Sequence, residues 1–135
     1  TKVGARLRRH QLQAQSFSIG LRAAEGWLGD RLQTALPTND SRQIMALCRH
    51  VINNIWNGEA IHQVQVTALN PCDTDSQLEL FAATDNIRDE VNAAMDMVNR
   101  RYGEFALAPA RLLNRSSMPN VIAPAWKPFG HRKTI

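Results

Sequence analysis

Alternation of apolar and polar residues along the first half of the chain predicts β-strands. In QSFSIGLR, residues 15–22, the apolar side chains of Phe17, Ile19 and Leu21 occupy every second position, so they lie on one face of a strand. The residues between them are small or polar and point to the other face. Three further strands are predicted in RLQTAL at 31–36, IHQVQVTAL at 61–69 and EFALAPARLL at 104–113.

Glycine and proline positions predict how the first two strands are connected. A loop is expected through Gly26, Trp27 and Gly29, and Pro37 is expected to end the second strand. These glycines do not have the spacing of a dinucleotide-binding or P-loop motif. The loop is therefore predicted to be a turn and not a phosphate cradle.

Two longer segments repeat their apolar residues with the period of a helix. In the first, Asp40 can cap the helix, Gln43 completes a capping-box pattern, and Gly58 is placed to end it. In the second, Gly103 is the expected end. The opening GARLRRHQL, residues 4–12, predicts the last turns of a third helix. The apolar stripes consist of Ile44, Leu47, Cys48, Val51, Ile52 and Ile55 in the first helix and Ile87, Val91, Ala94, Met95 and Val98 in the second.

The order of these elements predicts an α+β fold, in which helices pack on one face of a mostly antiparallel sheet of about four strands. Residues 1–113 are expected to form this domain, and the proline-rich, basic residues 114–135 an extended tail. The uncovered sheet face is small or polar and contains no acidic residue. It is predicted to carry Ser16, Ser18, Gly20, Arg22, Gln33, Ala35, Gln63, Gln65 and Thr67.

The charges are unevenly distributed along the chain. The net charge of +4 is the sum of +4 over residues 1–36, −6 over residues 37–99 and +6 over residues 100–135. Basic ends around an acidic middle favour a surface that binds phosphates, and the open sheet face would let a sugar–phosphate backbone approach main-chain N–H groups. Ordinary solvated charge and a merely solvated sheet face are the alternatives.

No catalytic constellation is recognisable in the sequence. The four histidines are scattered, neither cysteine has an obvious histidine partner, and Asp73 and Asp75 lack the other oxygen donors of a calcium loop. Cys48 lies in an apolar pattern, so Cys48 and Cys72 predict no disulfide framework, and a reducing cytoplasm is expected. The three tryptophans and one tyrosine are not expected to form a stacking platform on the sheet, which argues against single-stranded RNA. The sequence favours a binding module.

The pentapeptide QLELF, residues 77–81, follows the third strand between polar flanks. Two interpretations are open. Leu80 and Phe81 could fasten the following helix onto the core, or the segment could fill the pocket of another protein.

The order of LRRHQLQAQSFSIGLR, LPTNDSRQI, IWNG, IHQVQVTALNP and QLELF resembles the little-finger domain of Y-family translesion DNA polymerases, in their UmuC and DinB-like branch. The resemblance extends over about residues 5–113. It implies a sheet that lies in the major groove of primer–template DNA and grips backbone phosphates. The DNA-binding residues are then predicted to be Arg8, Arg9, Ser16, Ser18, Arg22, Gln33, His62, Gln63, Gln65 and Thr67.

The resemblance also implies partners and a parent protein. QLELF is similar to the pentapeptide by which bacterial proteins dock on the sliding clamp, so clamp contacts are predicted for Gln77, Leu78, Leu80 and Phe81. The parent would be an error-prone DNA polymerase of the SOS response, acting in the cytoplasm at the nucleoid. Its catalytic carboxylates and Mg²⁺ would belong to a palm domain outside this chain, so no cofactor and no polymerase activity are expected here. A small non-catalytic module that binds protein or RNA is the alternative.

The family's domain usually begins with one more strand and a complete helix, whereas this chain opens on the last turns of that helix. The sheet edge that the strand would cover is then expected to be exposed. Exposed edges pair readily with other strands, so a dimer through this edge is predicted.

Overall fold

Three helices and four strands make up the described part of the chain. The computed structural model describes residues 2–74, 86–103 and 106–110. The elements are α1 (Lys2–Arg9), β1 (Leu12–Ala23), β2 (Gly26–Thr38), α2 (Ser41–Asn54), β3 (Gln63–Leu69), β4 (Cys72–Asp73) and α3 (Asn86–Tyr102). The predicted α+β class and antiparallel sheet are confirmed.

The strand β1 is the middle of the sheet. It pairs antiparallel with β2 on one side and with β3 on the other, and its first residues pair with the short β4. Phe17 stands opposite Leu32 and Ala68, so these three residues share a face. The predicted apolar face of QSFSIGLR is therefore the core face of the sheet.

Helices α1 and α2 cover this core face. Phe17 is 0% exposed and packs with Leu7 of α1 and Ile44 of α2. A second cluster joins Ile19 and Leu21 to Val51 of α2. Each of these fully buried large side chains stabilises the fold by about 1.5–3 kcal/mol, so the sheet and the two helices form one core.

Cys48 of α2 packs against the second of these clusters and is a free thiol. Burial raises the pKa of the Cys48 thiol, because the surrounding apolar side chains disfavour the thiolate. Cys72 is also free and is exposed. Cys48 therefore acts as a small apolar side chain in the core, as its pattern predicts.

The connection between β1 and β2 differs from the predicted loop. Ala23 pairs directly with Gly26, so only two residues form the turn, and β2 already includes Trp27 and Gly29. The backbone of Gly26 has φ = 145°, which favours glycine and allows so tight a hairpin. Gly26 serves the tight turn and Gly29 a close contact between the strands. The glycine-rich segment is therefore part of β2.

Pro37 also does not end β2, which continues to Thr38. Ser16 pairs with Gln33 but Ala14 pairs with Thr38, so two steps along β1 match five along β2. This bulge accommodates the proline, which cannot donate to a regular ladder. It also takes Ala35 out of register, so the pairing does not place Ala35 on the open face.

Side chains stabilise the bulge from both strands. The amide nitrogen of Gln15 donates to the carbonyl oxygens of Thr34 and Ala35, at 3.2 Å each. The hydroxyl of Thr34 donates to the carbonyl oxygen of Leu36 at 2.7 Å. These bonds satisfy carbonyl groups that a regular ladder would pair.

The cap predicted at Asp40 is confirmed, but the capping box with Gln43 is not formed, because the main-chain N–H of Asp40 donates to the hydroxyl of Thr38 instead. The predicted end of α2 is also wrong. The side chain of Asp40 accepts a hydrogen bond from the main-chain N–H of Arg42 at 3.0 Å. The helix ends at Asn54, before the expected Gly58, which has φ = 94° in the following turn. There the indole nitrogen of Trp56 donates to the carbonyl oxygen of Glu59, and this turn replaces the last turn of the helix.

Gly103 ends α3 as predicted, with φ = 105° and its N–H bonded to the carbonyl oxygen of Asn99. The stripe predicted to face the core is largely exposed, with Ile87 73% and Val91 53% accessible. Polar side chains of α3 contact the rest of the chain, since Asp96 pairs with Arg8 and Asn92 donates to Asp40.

Arg8 and Asp96 form a bidentate ion pair. The Nε and Nη2 atoms of Arg8 donate to the two carboxylate oxygens of Asp96 at 2.7 and 2.9 Å. The third guanidinium nitrogen, Nη1, donates to the carbonyl oxygen of Asn39 at 2.7 Å. Asn92, one turn from Asp96, donates to Asp40 at 3.4 Å. Arg8 thereby connects α1, the start of α2 and α3.

The strand predicted for residues 104–113 is wrong over the part that the structure describes. Residues 106–110 contain no strand. The side chain of Asn99 holds the main chain of Leu107 instead, accepting from its N–H at 2.8 Å and donating to its carbonyl oxygen at 2.9 Å. These bonds fold the chain back onto the end of α3, and Pro109 has no N–H for a ladder.

Three expectations about the ends and edges of the molecule stay predictions. Within the described residues, the outer edges of β2 and β3 have no paired strand, and pairing with a second copy is untested. The tail 114–135 and the boundary at residue 113 lie outside the described residues.

None of the helices described here has the length and apolar character needed to cross a membrane.

Candidate nucleic-acid interface

The open face of the sheet is defined by the strand register. Residues directly opposite each other in antiparallel strands point to the same face. Four positions from each of three strands therefore share the face opposite the core. They are Ser16, Ser18, Gly20 and Arg22 of β1, Trp27, Gly29, Arg31 and Gln33 of β2, and Gln63, Gln65, Thr67 and Leu69 of β3.

The open face has no acidic residue among these paired positions and has two arginines. Arg22 and Arg31 are both exposed. Asp30 pairs with Ile19 and therefore belongs to the other face of the sheet. Its carboxylate accepts a hydrogen bond from the main-chain N–H of Arg31 at 2.6 Å. The face therefore attracts anions through its side chains.

Four of these residues are not among the sequence predictions, namely Trp27, Gly29, Arg31 and Leu69. Trp27 and Gly29 were missed because the segment through them was interpreted as a loop, whereas Arg31 begins a predicted strand and Leu69 ends one, and neither was assigned to the face. Counting back from Gln33 in steps of two gives Arg31, Gly29 and Trp27, so strand alternation continued through the glycines would have found them.

Trp27 places one aromatic ring on the open face of the sheet, where no aromatic stacking platform was expected. Its side chain is 50% exposed. A Cβ atom placed on Gly20 would lie 3.0 Å from Cε3 and 3.1 Å from Cζ3 of Trp27, so this edge of the ring lies against Gly20. Beside the ring is a depression of about 350 Å³, lined by Ser18, Ile19, Gly20, Trp27, Leu28, Gly29, Asp30 and Gln65.

Main-chain N–H groups of β1 are not available to a ligand on this face. From Ser16 to Arg22 the strand pairs on both sides, so its N–H and C=O groups bond within the sheet. The expectation that phosphates approach main-chain N–H groups therefore does not hold for the middle strand. Phosphate contacts at the centre of the face have to come from side chains such as the serine hydroxyls and the arginines.

The remaining predicted DNA-binding residues occupy different places. Gln63, Gln65 and Thr67 lie on the open face, where the amide of Gln65 donates to the hydroxyl of Thr67 at 3.4 Å. His62 lies just before β3 and is exposed, and its main-chain N–H donates to the carbonyl oxygen of Arg22 at 2.8 Å. Arg9 is exposed at the end of α1.

Arg8 differs from the other predicted residues. Its guanidinium is bound to Asp96 and to the carbonyl oxygen of Asn39, and its side chain is only 15% exposed. A phosphate would have to replace these bonds. The assignment of Arg8 to DNA stays a prediction, and this geometry weighs against it.

Residues 75–85 lie outside the described part of the chain, and so do the clamp-binding predictions for Gln77, Leu78, Leu80 and Phe81. Within the described residues, no three His, Cys, Asp or Glu side chains come together as a metal site.

Comparison with known proteins identifies the family. The model of the "impB/mucB/samB family C-terminal domain" matches residues 1–80, which is more than half of the 135 residues. A relative in Bacillus subtilis (strain 168), named "Putative UV-damage repair protein UvrX", is 27% identical over 114 residues. That alignment covers 81% of this chain and 27% of the relative, so the chain spans about a quarter of the relative's length. No solved structure matches significantly. The chain belongs to the impB/mucB/samB family, as a C-terminal domain of the Y-family DNA polymerases.

Proposed function

We propose that this domain holds the backbone of double-stranded primer–template DNA on the open face of its sheet, as part of a translesion DNA polymerase. The observation that supports the proposal is the face itself, which combines Arg22, Arg31 and uncharged polar side chains with no acidic residue among its paired positions. The parent polymerase acts at the nucleoid in damage tolerance and uses Mg²⁺ in a palm domain. This domain contributes binding and no catalytic group.

The chemistry of the face fits phosphates better than base edges. Serine and threonine hydroxyls, glutamine amides and arginines can all donate hydrogen bonds to phosphate oxygens. A flat sheet face lies along a backbone but does not enter a groove deeply enough to read the full pattern of base edges. Binding is therefore indifferent to sequence, which suits a polymerase that moves along its template.

Replacing Arg22 and Arg31 together by glutamine tests this proposal. We expect affinity for a duplex of about 20 base pairs to fall roughly tenfold at low salt, because two phosphate contacts are lost. The slope of log K against log salt should decrease in magnitude by about 2, since each lost contact no longer releases counterions. Fluorescence anisotropy with a labelled duplex, repeated over a KCl series, measures both quantities.

Arg49→Gln is the matched control. Arg49 is exposed on α2, which packs on the core face of the sheet. It removes one positive charge without touching the open face, so its salt slope should stay close to that of the unchanged protein. A double variant whose slope equals the original one would contradict the proposed interface.

We further propose that residues 77–81 dock on the sliding clamp. The support is the pentapeptide QLELF itself, together with the family. The Gln77 amide can bond to polar groups at a pocket rim, Leu78 adds an apolar contact, and Leu80 and Phe81 can enter an apolar cleft. Burial of these last two side chains stabilises by about 3–6 kcal/mol before the segment's ordering is counted, which is enough for weak docking of a tethered domain.

The double variant Leu80→Ala with Phe81→Ala is expected to abolish binding to the clamp. Surface plasmon resonance on immobilised clamp measures the loss, and thermal unfolding should stay within a few degrees of the unchanged protein. Glu79→Ala changes the variable position of the motif and should bind normally. If the double variant unfolds, the alternative holds, in which the two side chains fasten the next helix to the core.

A second function, binding of protein or RNA by a small non-catalytic module, stays the alternative. The exposed ring of Trp27 is the observation that favours it, because aromatic rings on sheets bind unpaired bases. Preference for single-stranded RNA over duplex DNA in a competition assay would support this alternative against the first.

A further inference from the structure

The depression beside Trp27 is a distinct site within the open face. Its base is the directly paired Gly20 and Gly29, which have no side chains to fill it. Trp27 forms one side, and Ser18 and Gln65 supply polar groups around it. Its volume of about 350 Å³ is at the lower end of the range for small-ligand sites.

The side chains that line the depression from the open face carry no charge. They are Ser18, Trp27 and Gln65, and the indole offers an apolar surface. Arg22 stands opposite Trp27, and Arg31 stands opposite Ser18, so the arginines flank the depression on its two sides. They are separated by four residue steps along the strands, which is about 13 Å.

The geometry assigns a planar, uncharged group to the depression, with phosphates on either side. The Cε3–Cζ3 edge of the indole lies against Gly20, and the residue is 50% exposed, which leaves ring surface open for stacking. The hydroxyl of Ser18 and the amide of Gln65 can bond to donors and acceptors on the edge of a planar ring. A nucleobase has these properties.

We propose that Trp27 stacks on an unpaired nucleobase of single-stranded DNA, while Arg22 and Arg31 bind the phosphates on its two sides. The base has to be unpaired, because bases within a duplex are already stacked on both sides. The site therefore suits a single strand that occupies the open face in place of a duplex. This inference rests on the proposed function and extends it from duplex to single-stranded DNA.

The test compares two DNA forms on one set of variants. The probes are a labelled oligothymidylate of about 12 nucleotides and a blunt duplex. Trp27→Ala is expected to weaken binding of the single strand about tenfold, which is the loss of one stacked base, and to leave duplex binding within about twofold. Trp27→Phe keeps an aromatic ring and should bind the single strand nearly as well as the unchanged protein.

Intrinsic fluorescence supplies a second measurement, which remains informative even if the Trp27→Ala variant does not fold. Stacking of a base quenches an indole, so oligothymidylate should quench the Trp56→Phe variant as it does the unchanged protein. The Trp27→Phe variant should lose this quenching while it still binds. Quenching that persists in Trp27→Phe would overturn the proposal.

Three other outcomes would also overturn it, namely equal loss for both DNA forms in Trp27→Ala, no loss for either form, and tighter binding of oligouridylate than of oligothymidylate. The last would assign the site to RNA. Failure of the proposed function is recognised separately, because Arg22→Gln with Arg31→Gln would then leave the salt dependence of duplex binding unchanged.

Discussion

Gly29→Ala is expected to lower the free energy of unfolding by about 3 kcal/mol. A Cβ atom on Gly29 would overlap the carbonyl oxygen of Ile19 and would lie 2.9 Å from the Cα of Gly20. These are main-chain atoms of the middle strand, which cannot rotate away as a side chain can. The two strands have to separate, and this weakens the pairing that holds the hairpin. Urea unfolding followed by circular dichroism measures the change.

Gly20→Ala is the matched comparison, because Gly20 is the residue directly opposite Gly29. Its new Cβ would meet only ring atoms of Trp27, at 3.0 and 3.1 Å. The ring belongs to a half-exposed side chain and can move, so the cost should stay below about 1 kcal/mol. Equal stability losses in the two variants would show that the main-chain contact at Gly29 does not limit the packing.

Asp96→Ala is expected to lower the free energy of unfolding by about 2–3 kcal/mol and to loosen α3. Arg8 and Asp96 form a two-bonded ion pair whose side chains are only 15% and 23% exposed. Removing one partner leaves the other charge partly buried without its counterion, which costs more than the pair itself contributes. Urea unfolding measures the stability, and trypsin cleavage after Arg100 or Arg101 measures the loosening of α3.

A double-mutant cycle separates the ion pair from other effects of each substitution. If the pair is responsible, Arg8→Met and Asp96→Ala together should destabilise by less than the sum of the single variants. Glu90→Ala removes an exposed carboxylate from the same helix and should change neither measurement. Additive single effects would mean that the two side chains act independently.

The fold follows from the sequence where one pattern is repeated without interruption. Phe17, Ile19 and Leu21 alternate regularly, and their face is the core face of the middle strand. The cap at Asp40 and the end of α3 at Gly103 each depend on one local hydrogen bond, so a residue type in the right place was enough to predict them.

The sequence failed where a tertiary contact decided the outcome. Gly26, Gly29 and Pro37 usually interrupt strands, but here they serve a two-residue turn, a close strand contact and a bulge in one long strand. The apolar stripe of α3 predicted a buried helix, yet the pairing of Arg8 with Asp96 turns the polar side of α3 toward the rest of the chain. Neither the close contact between the strands at Gly29 nor the pairing of Arg8 with Asp96 can be recognised from the residues next to it in the sequence.

The candidate site was likewise predicted where a local pattern was enough and missed where it was not. Alternation placed the serines, Arg22 and the β3 glutamines on one face correctly, because that inference needs only the strand period. Trp27 was missed because it precedes the segment predicted as a strand, and Arg31 was missed although it is the first residue of that segment. Arg8 is a basic residue near the other candidates, but only the structure shows that its guanidinium is bound inside the protein.

The position of β1 determines the order in which the sheet can assemble. The strand pairs with β2 through a turn of two residues, whereas β3 reaches it only after the whole of α2. Closing a short loop costs less entropy than closing a long one, so the hairpin forms first and offers its free side to β3 later. During synthesis on the ribosome, this hairpin can therefore form before α2 and β3 have left the exit tunnel.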